Sequence, residues 1–430
     1  MLRLALSPVP TFGQRVAWVL LGLLALFGVL YVAVGATQRE RFGCWYYGGD
    51  FIAFYSSARL ILAGEGPAIY HRQALEAFQQ SLLREAGSAC DYGYMPMKYL
   101  GAALTPFLPV ALLPLHWAFA AWSVLTLALA SFALWRLAHV SQIRAWPLWL
   151  WALGSPYVYL GLMVGQVHGL LLVIVTEFAI ALREDRQRRA GFWVSLLLVK
   201  PQFAPLVILF LVWKRQWQAV IAASAGGLMF LLASVLIVGP EGLKAYSGAL
   251  LTLRDDGLTT GAAAIAMTNW RALGVDLARI FGLNGSLAIM LLLSAATLAA
   301  VFLRWRRRAW ESLGEVERDS LMLGVTIAAL LVGFHTHVHS DVLMIAPALL
   351  LLGAAVHRKE DAPSVVQSLV LEALLSAPAF LLLFLAFATG ELDRAILQTD
   401  YFVLLLMALV VFVFPQLRQL SIDARQSAAA

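Results

Sequence analysis

The sequence predicts an all-α polytopic membrane protein, one bundle of about twelve transmembrane helices. Three observations carry this. Of 430 residues, 61% are hydrophobic and 13% charged, with a mean hydropathy of +0.80, against roughly 45–50% apolar and about 25% charged in soluble domains. The apolar residues gather in runs suited to crossing about 30 Å of hydrocarbon as helix. The alternating ten-residue pattern of a membrane barrel, the other architecture that satisfies its backbone in lipid, is missing. A soluble globular enzyme is excluded. The 23 Phe, 14 Trp and 12 Tyr exclude a disordered chain, and two cysteines exclude a disulfide scaffold or a Cys-based zinc module.

The first apolar run, Val16 to Ala36, follows Arg3 and Arg15. It is too long for a signal-peptide core and lacks a small-residue cleavage site, so it reads as a retained helix. Further spans are expected at 117–138, 145–163, 167–183, 190–200, 202–213, 217–239, 286–303, 320–335, 341–357, 365–389 and 401–416, the pair between 190 and 213 being short. The stretch 99–115 is apolar but punctuated by Pro106, Pro109 and Pro114, which fits a re-entrant or interfacial hairpin better than a span.

Walking these spans from a cytoplasmic amino terminus places nineteen of the 31 Lys and Arg on the inner side, in compact clusters such as Arg304/Arg306/Arg307/Arg308. The other twelve are spread over longer outer loops, the asymmetry of the positive-inside rule. Both termini therefore face the cytoplasm. The net charge of +6 reports topology and not a nucleic-acid face. Residues 1–417 are expected to form a single membrane domain, with a first periplasmic loop at 37–115, a second at 240–285, and a cytoplasmic tail at 418–430 whose composition predicts disorder. With every inner loop short, the chemistry belongs on the outer face.

In the first outer loop Asp50 follows Gly48 and Gly49 and precedes Phe51, Phe54, Tyr55, Ala58, Ile61 and Leu62, apolar at helical spacing. This suggests an amphipathic helix at the membrane surface. Asp50 reads either as the helix cap or as a general base at the membrane edge. Other polar groups fall at predicted outer ends of spans: Gln166 and His168, Lys200, Asn269 with Arg271, and His335, His337, His339, Ser340 and Asp341. Lys200, flanked by Leu198, Val199, Phe203 and Ala204, is either an interfacial anchor or a phosphate contact. The three histidines invite a metal reading, a structural one, or substrate contact; no metal or cofactor is assigned.

These segments together resemble glycosyltransferase family 87, the polyprenol-phosphate-mannose-dependent mannosyltransferases and their bacterial relatives within the multi-spanning GT-C superfamily. The resemblance rests on Gly49-Asp50-Phe51 with Tyr55, Ala58 and Gly64; Ala68-Ile69-Tyr70; Tyr94/Pro96 leading to Pro106, Pro114 and Trp122; Gly165-Gln166; Lys200-Pro201; Asn269 with Arg271; and the late His-Ser-Asp. Where the family commonly has Tyr-Pro-Pro, this chain has Tyr94-Met95-Pro96-Met97. The resemblance implies a GT-C-type bundle and Asp50 as catalytic base. It also implies a polyprenyl-phosphate sugar as donor, mannose-like, and a lipid or glycan as acceptor. Lys200, His339, His337, Gln166, Asn269, Arg271 and Tyr55 are candidate substrate contacts in a bacterial inner-membrane protein.

Such chemistry needs few groups, because a lipid-linked sugar phosphate already carries its leaving group; one base and a few cations or N–H donors suffice. The competing class is a transporter or lipid flippase using Glu177 and Glu372, which lie inside predicted spans. A non-catalytic membrane scaffold is the third. Cys44 and Cys90 both fall in the first outer loop, where an oxidising periplasm permits a disulfide.

Overall fold

A computed structural model of the protein describes residues 48–88, 93–141, 156–259, 270–306, 315–333, 340, 342–343, 345–347 and 349–350. Their secondary structure is helical throughout, with no strand among the described residues. The α-helices are α1 (Gly49–Leu62), α2 (Arg72–Glu85), α3 (Leu115–Ser141), α4 (Pro156–Val164), α5 (His168–Arg183), α6 (Gln187–Ser195), α7 (Ala204–Trp213), α8 (Trp217–Thr259), α9 (Trp270–Trp305) and α10 (Glu315–Gly333). Short 3-10 helices occupy Gly66–Tyr70, Gly101–Phe107, Val110–Leu112, Leu196–Val199 and Pro201–Phe203.

Among the described residues two helices are long and apolar enough to cross a membrane, Leu115–Ser141 and Trp217–Leu250. Spans expected at 16–36, 365–389 and 401–416 lie outside the described residues, as do Cys44, Cys90 and Glu372. The proline-punctuated stretch 101–112 forms two 3-10 helices. The expected pair between 190 and 213 is a broken element, α6 and α7 interrupted by 3-10 turns on either side of Lys200. Each arm of about 13 residues is only about 20 Å long, short of the hydrocarbon thickness.

Helix direction follows from the contacts. Gly169 of α5 lies against Thr126 of α3, Glu177 meets Arg136, and Arg183 donates to the Val140 carbonyl at 2.9 Å. Residue numbers rise together along both helices, so α3 and α5 are parallel and the chain returns between them. The α6–α8 contact is built on small residues: Gly191 faces Ala219 and Ala222, and Gly226 faces Ser195. Four-residue spacing of small side chains lets two helix backbones approach closely. Trp213 and Phe210 of α7 pack on Trp305 of α9 at 5.8 and 5.7 Å between ring centroids, and Lys214 pairs with Asp319 of α10.

One expectation is corrected. α1 is not a helix with one wet face lying on the membrane: Gly49, Phe51 through Ala58 and Leu60 are all buried. Its second face carries Ile52, Ala53, Ser56 and Ser57, small or apolar groups that pack inside the protein. The segment 240–285 carries helix in its described residues. α8 breaks at Gly239 (φ 74°, ψ 167°) and resumes at Pro240, while α9 already begins at Trp270 and breaks at Gly282 (φ 71°, ψ 172°). A proline after the break starts a helix readily, since the N–H it lacks has no intrahelical partner there. α8 then supports the first loop: Ser234 Oγ accepts from the Ala102 N–H at 3.1 Å, and Tyr246 packs on Tyr70 at 5.2 Å.

Glu177 also proves to have a structural explanation. Its buried carboxylate accepts from Arg136 Nε at 2.6 Å and from Arg189, joining α3, α5 and α6. A carboxylate neutralised by two guanidinium groups is a clamp between helices, which leaves nothing at this position that calls for a proton relay.

Candidate active site

Asp50 is the second residue of α1. The residue before the helix, Gly48, has left-handed geometry (φ 79°, ψ 15°), and its N–H donates to the Met163 carbonyl at 2.6 Å, tying the start of α1 to the end of α4. No side chain caps α1. The Asp50 carboxylate instead accepts, through Oδ2, a hydrogen bond from Gln166 Nε2 at 2.6 Å.

Gln166 is placed by a helix-ending turn. Gly165 has φ 76°, its N–H donates to the Leu162 carbonyl at 3.2 Å, and the Gln166 N–H reaches the Gly161 carbonyl at 2.9 Å. These two bonds are the Schellman pair that closes a helix carboxyl terminus over a left-handed residue. The Gly165 carbonyl then accepts from Trp122 Nε1 at 3.1 Å, anchoring the turn on α3. No side chain would fit at Gly165, because a Cβ there would run into the Cβ of Phe51. Behind the turn His168 is fully buried, its ring packed where Gly161 offers no Cβ.

A stack of rings fixes α1 against these elements. Phe54 lies on Phe107 (4.5 Å, 9°) and on Tyr99 (5.6 Å, 12°), Phe107 lies on Trp122 (3.9 Å), and Phe51 meets Phe119 edge-on (5.2 Å). The segment 93–99 runs past Asp50 without regular structure, and Gln79 of α2 holds it. Gln79 Nε2 donates to the Met95 carbonyl at 2.8 Å, and the Met95 N–H donates to Gln79 Oε1 at 3.1 Å. One buried amide thus satisfies both backbone groups of Met95 and fixes the segment at that point.

Lys200 sits in the break between the two arms of the 196–203 element, where Pro201 cannot continue the hydrogen-bonding of the preceding turn. It is 2% exposed, an unusual position for an ammonium group. It feels the attraction of the Asp50 carboxylate and the repulsion of Lys98. Asp50, Gln166 and Lys200 line one cleft, walled also by Ala53 and Phe54, the 95–99 segment, Gln202 and Ser340. Burial first, and then the negative charge of Asp50, push the Tyr99 phenol well above its usual range, while a hydrogen bond from Gln166 acts the other way. The phenol stays a neutral hydrogen-bonding group at physiological pH.

The fold thus brings together four of the residues singled out from the sequence: Asp50, Gln166, Lys200 and Ser340. Tyr55 is not with them: it is 1% exposed and its hydroxyl donates to the Leu113 carbonyl at 2.8 Å, tethering α1 to the proline-rich stretch. Arg271 is the second residue of α9, and Asn269, His335, His337, His339 and Asp341 lie outside the described residues. Lys98, Tyr99 and Gln79 escaped the sequence reading. For Gln79 a signal existed, since it occupies the apolar face of α2 with Leu75, Leu82 and Leu83. Lys98 and Tyr99 carry none, being one more Lys and one more aromatic residue beside an apolar run.

The model of glycosyltransferase family 87 matches residues 101–333, more than half of the chain. The match takes in Gln166, Lys200 and Gln202 and begins after Asp50. No curated protein and no solved structure matches the chain. A helical chain this apolar, carrying the family's pattern over residues 101–333, belongs to glycosyltransferase family 87 and is a membrane glycosyltransferase.

Proposed function

We propose that the protein transfers a mannose-like sugar from a polyprenyl-phosphate donor to a hydroxyl of a lipid or glycan acceptor, with inversion, at the periplasmic face of a bacterial inner membrane. The observation that carries this reading is the shared cleft of Asp50, oriented by Gln166, and the buried Lys200. Asp50 takes the proton of the acceptor hydroxyl as that oxygen bonds to the anomeric carbon. The bond from the anomeric carbon to the phosphate oxygen breaks, its electron pair stays on the phosphate, and Lys200 stabilises the charge that develops there. Asp50 is the single carboxylate among the described residues lining the cleft, which suits one direct displacement, with no second acid to serve as nucleophile. His337, His339, Asn269 and Arg271 complete the proposal as further donor or acceptor contacts.

The test uses purified protein in lipid nanodiscs with radiolabelled polyprenyl-phosphate mannose and extracted membrane glycolipids as acceptor. Transfer is expected, and Asp50→Asn should lower it by roughly 10²- to 10⁴-fold, the usual worth of a general base. Asn can still accept the Gln166 hydrogen bond, so the variant should fold. Near-native transfer by Asp50→Asn would remove the base assignment, and transfer only from nucleotide-activated sugars would remove the donor.

A further inference from the structure

The cleft carries charged and neutral groups together. Lys200 and Lys98 are its cations. Beside them it is lined by two residues with a neutral atom whose hydrogen-bonding capacity is not met among the described residues: the Gln166 carbonyl oxygen Oε1 and the Ser340 hydroxyl Oγ. Gln166 is 4% exposed and Ser340 1% exposed. Leaving a buried polar atom unpaired costs about 1–3 kcal/mol, so two such atoms lining one cleft describe a site shaped for a ligand group. The opposite edge of the same Gln166 amide is already committed, through Nε2, to Asp50.

Resting on the reading of Asp50 as base, we infer that Gln166 and Ser340 form a hydroxyl-reading pair that binds a second hydroxyl of the acceptor, next to the one Asp50 deprotonates. The chemistry selects a hydroxyl. Gln166 Oε1 can only accept, and Ser340 Oγ can donate or accept. An alcohol donates its proton to the first and accepts from the second, satisfying both atoms with one group. An ionised phosphate has no proton for the Gln166 carbonyl, and its charge is met by Lys200 and Lys98. The acceptor class that presents adjacent hydroxyl groups is a sugar ring. Gln166 is in this account a positioning residue for Asp50 through one edge of its amide and a specificity-determining contact through the other.

Binding decides the inference without donor or turnover, so a failed donor assay leaves this test intact. Saturation-transfer NMR on the nanodisc protein is run with methyl hexopyranosides of manno, gluco and galacto configuration and with the monodeoxy analogues of whichever binds. The wild-type protein is expected to bind one glycoside about tenfold more tightly than at least one of its monodeoxy analogues, the worth of one hydrogen-bonded hydroxyl. Ser340→Ala should narrow that gap, leaving the part due to Gln166, and Ser340→Thr, which keeps the hydroxyl, should retain it. In the transfer reaction Ser340→Ala should raise the acceptor KM about tenfold at unchanged kcat, whereas Gln166→Met should lower kcat as well because it also releases Asp50. No binding by any glycoside, or a gap that stays undiminished in Ser340→Ala, overturns the inference. So does a Gln166→Met variant with native kcat.

Discussion

Gly165→Ala offers a sharp test of how the fold builds the site. The residue is in the left-handed region at φ 76°, where an alanine costs roughly 1–2 kcal/mol. Its new Cβ would also meet Phe51 Cα and Phe119 Cε2, each at 3.2 Å, and would overlap Phe51 Cβ. Overpacking of this kind costs typically about 1–3 kcal/mol. The two terms together give roughly 2–5 kcal/mol, less about 0.4–1 kcal/mol regained because alanine restricts the unfolded chain. Relief requires α1 to move away from the turn, and this stretches the Asp50–Gln166 hydrogen bond across the same contact. Displacing a catalytic group by about 1 Å can cost about 10²-fold in rate. Thermal unfolding followed by fluorescence size-exclusion in detergent should show a lower midpoint, and transfer should fall by about two orders of magnitude. Phe51→Ala should not rescue the variant, because alanine keeps the Cα and Cβ that cause the collision. A Gly165→Ala protein with native midpoint and native transfer would refute the account of how Gln166 reaches Asp50.

Further expectations concern the charged groups. Lys200→Gln should weaken donor binding by roughly 10- to 100-fold, the range of a charge-assisted hydrogen bond of about 1.5–3 kcal/mol, and leave acceptor affinity near native. Equal donor affinity in titrations of the two proteins would take Lys200 out of the site. Glu177→Ala leaves Arg136 and Arg189 facing each other without their carboxylate. Removing one member of a buried pair costs about 3–5 kcal/mol, and side-chain exposures of 20% and 33% for the arginines place the cost toward the lower end. Yield and thermal midpoint should drop while kcat of the folded fraction holds; a stable variant that loses turnover would give Glu177 a functional role after all.

Much of this protein follows from its sequence alone. Composition and run length specify an apolar helical chain, since a backbone in lipid must hydrogen-bond within itself. The prolines at 106, 109 and 114 keep the stretch after Tyr99 from forming a long helix, and it is a pair of 3-10 helices. The residues that resemble glycosyltransferase family 87 point to the family that the chain proves to belong to.

Tertiary structure alone decides the rest. Periodicity reports which side chains share a helix face, not whether the medium beyond that face is lipid, water or protein. That is why α1, read as a surface helix, is a buried one. Hydropathy averaged over a window cannot resolve a break such as Lys200-Pro201 from the arms on either side, nor see that Pro240 restarts α8. Above all, partners are set by distance in space. Gln166 lies 116 positions from Asp50 and Glu177 lies 41 from Arg136. A carboxylate fixed by an amide and one neutralised by two arginines are the same residue types in a sequence, and only packing, which brings remote segments within about 3 Å of each other, tells them apart.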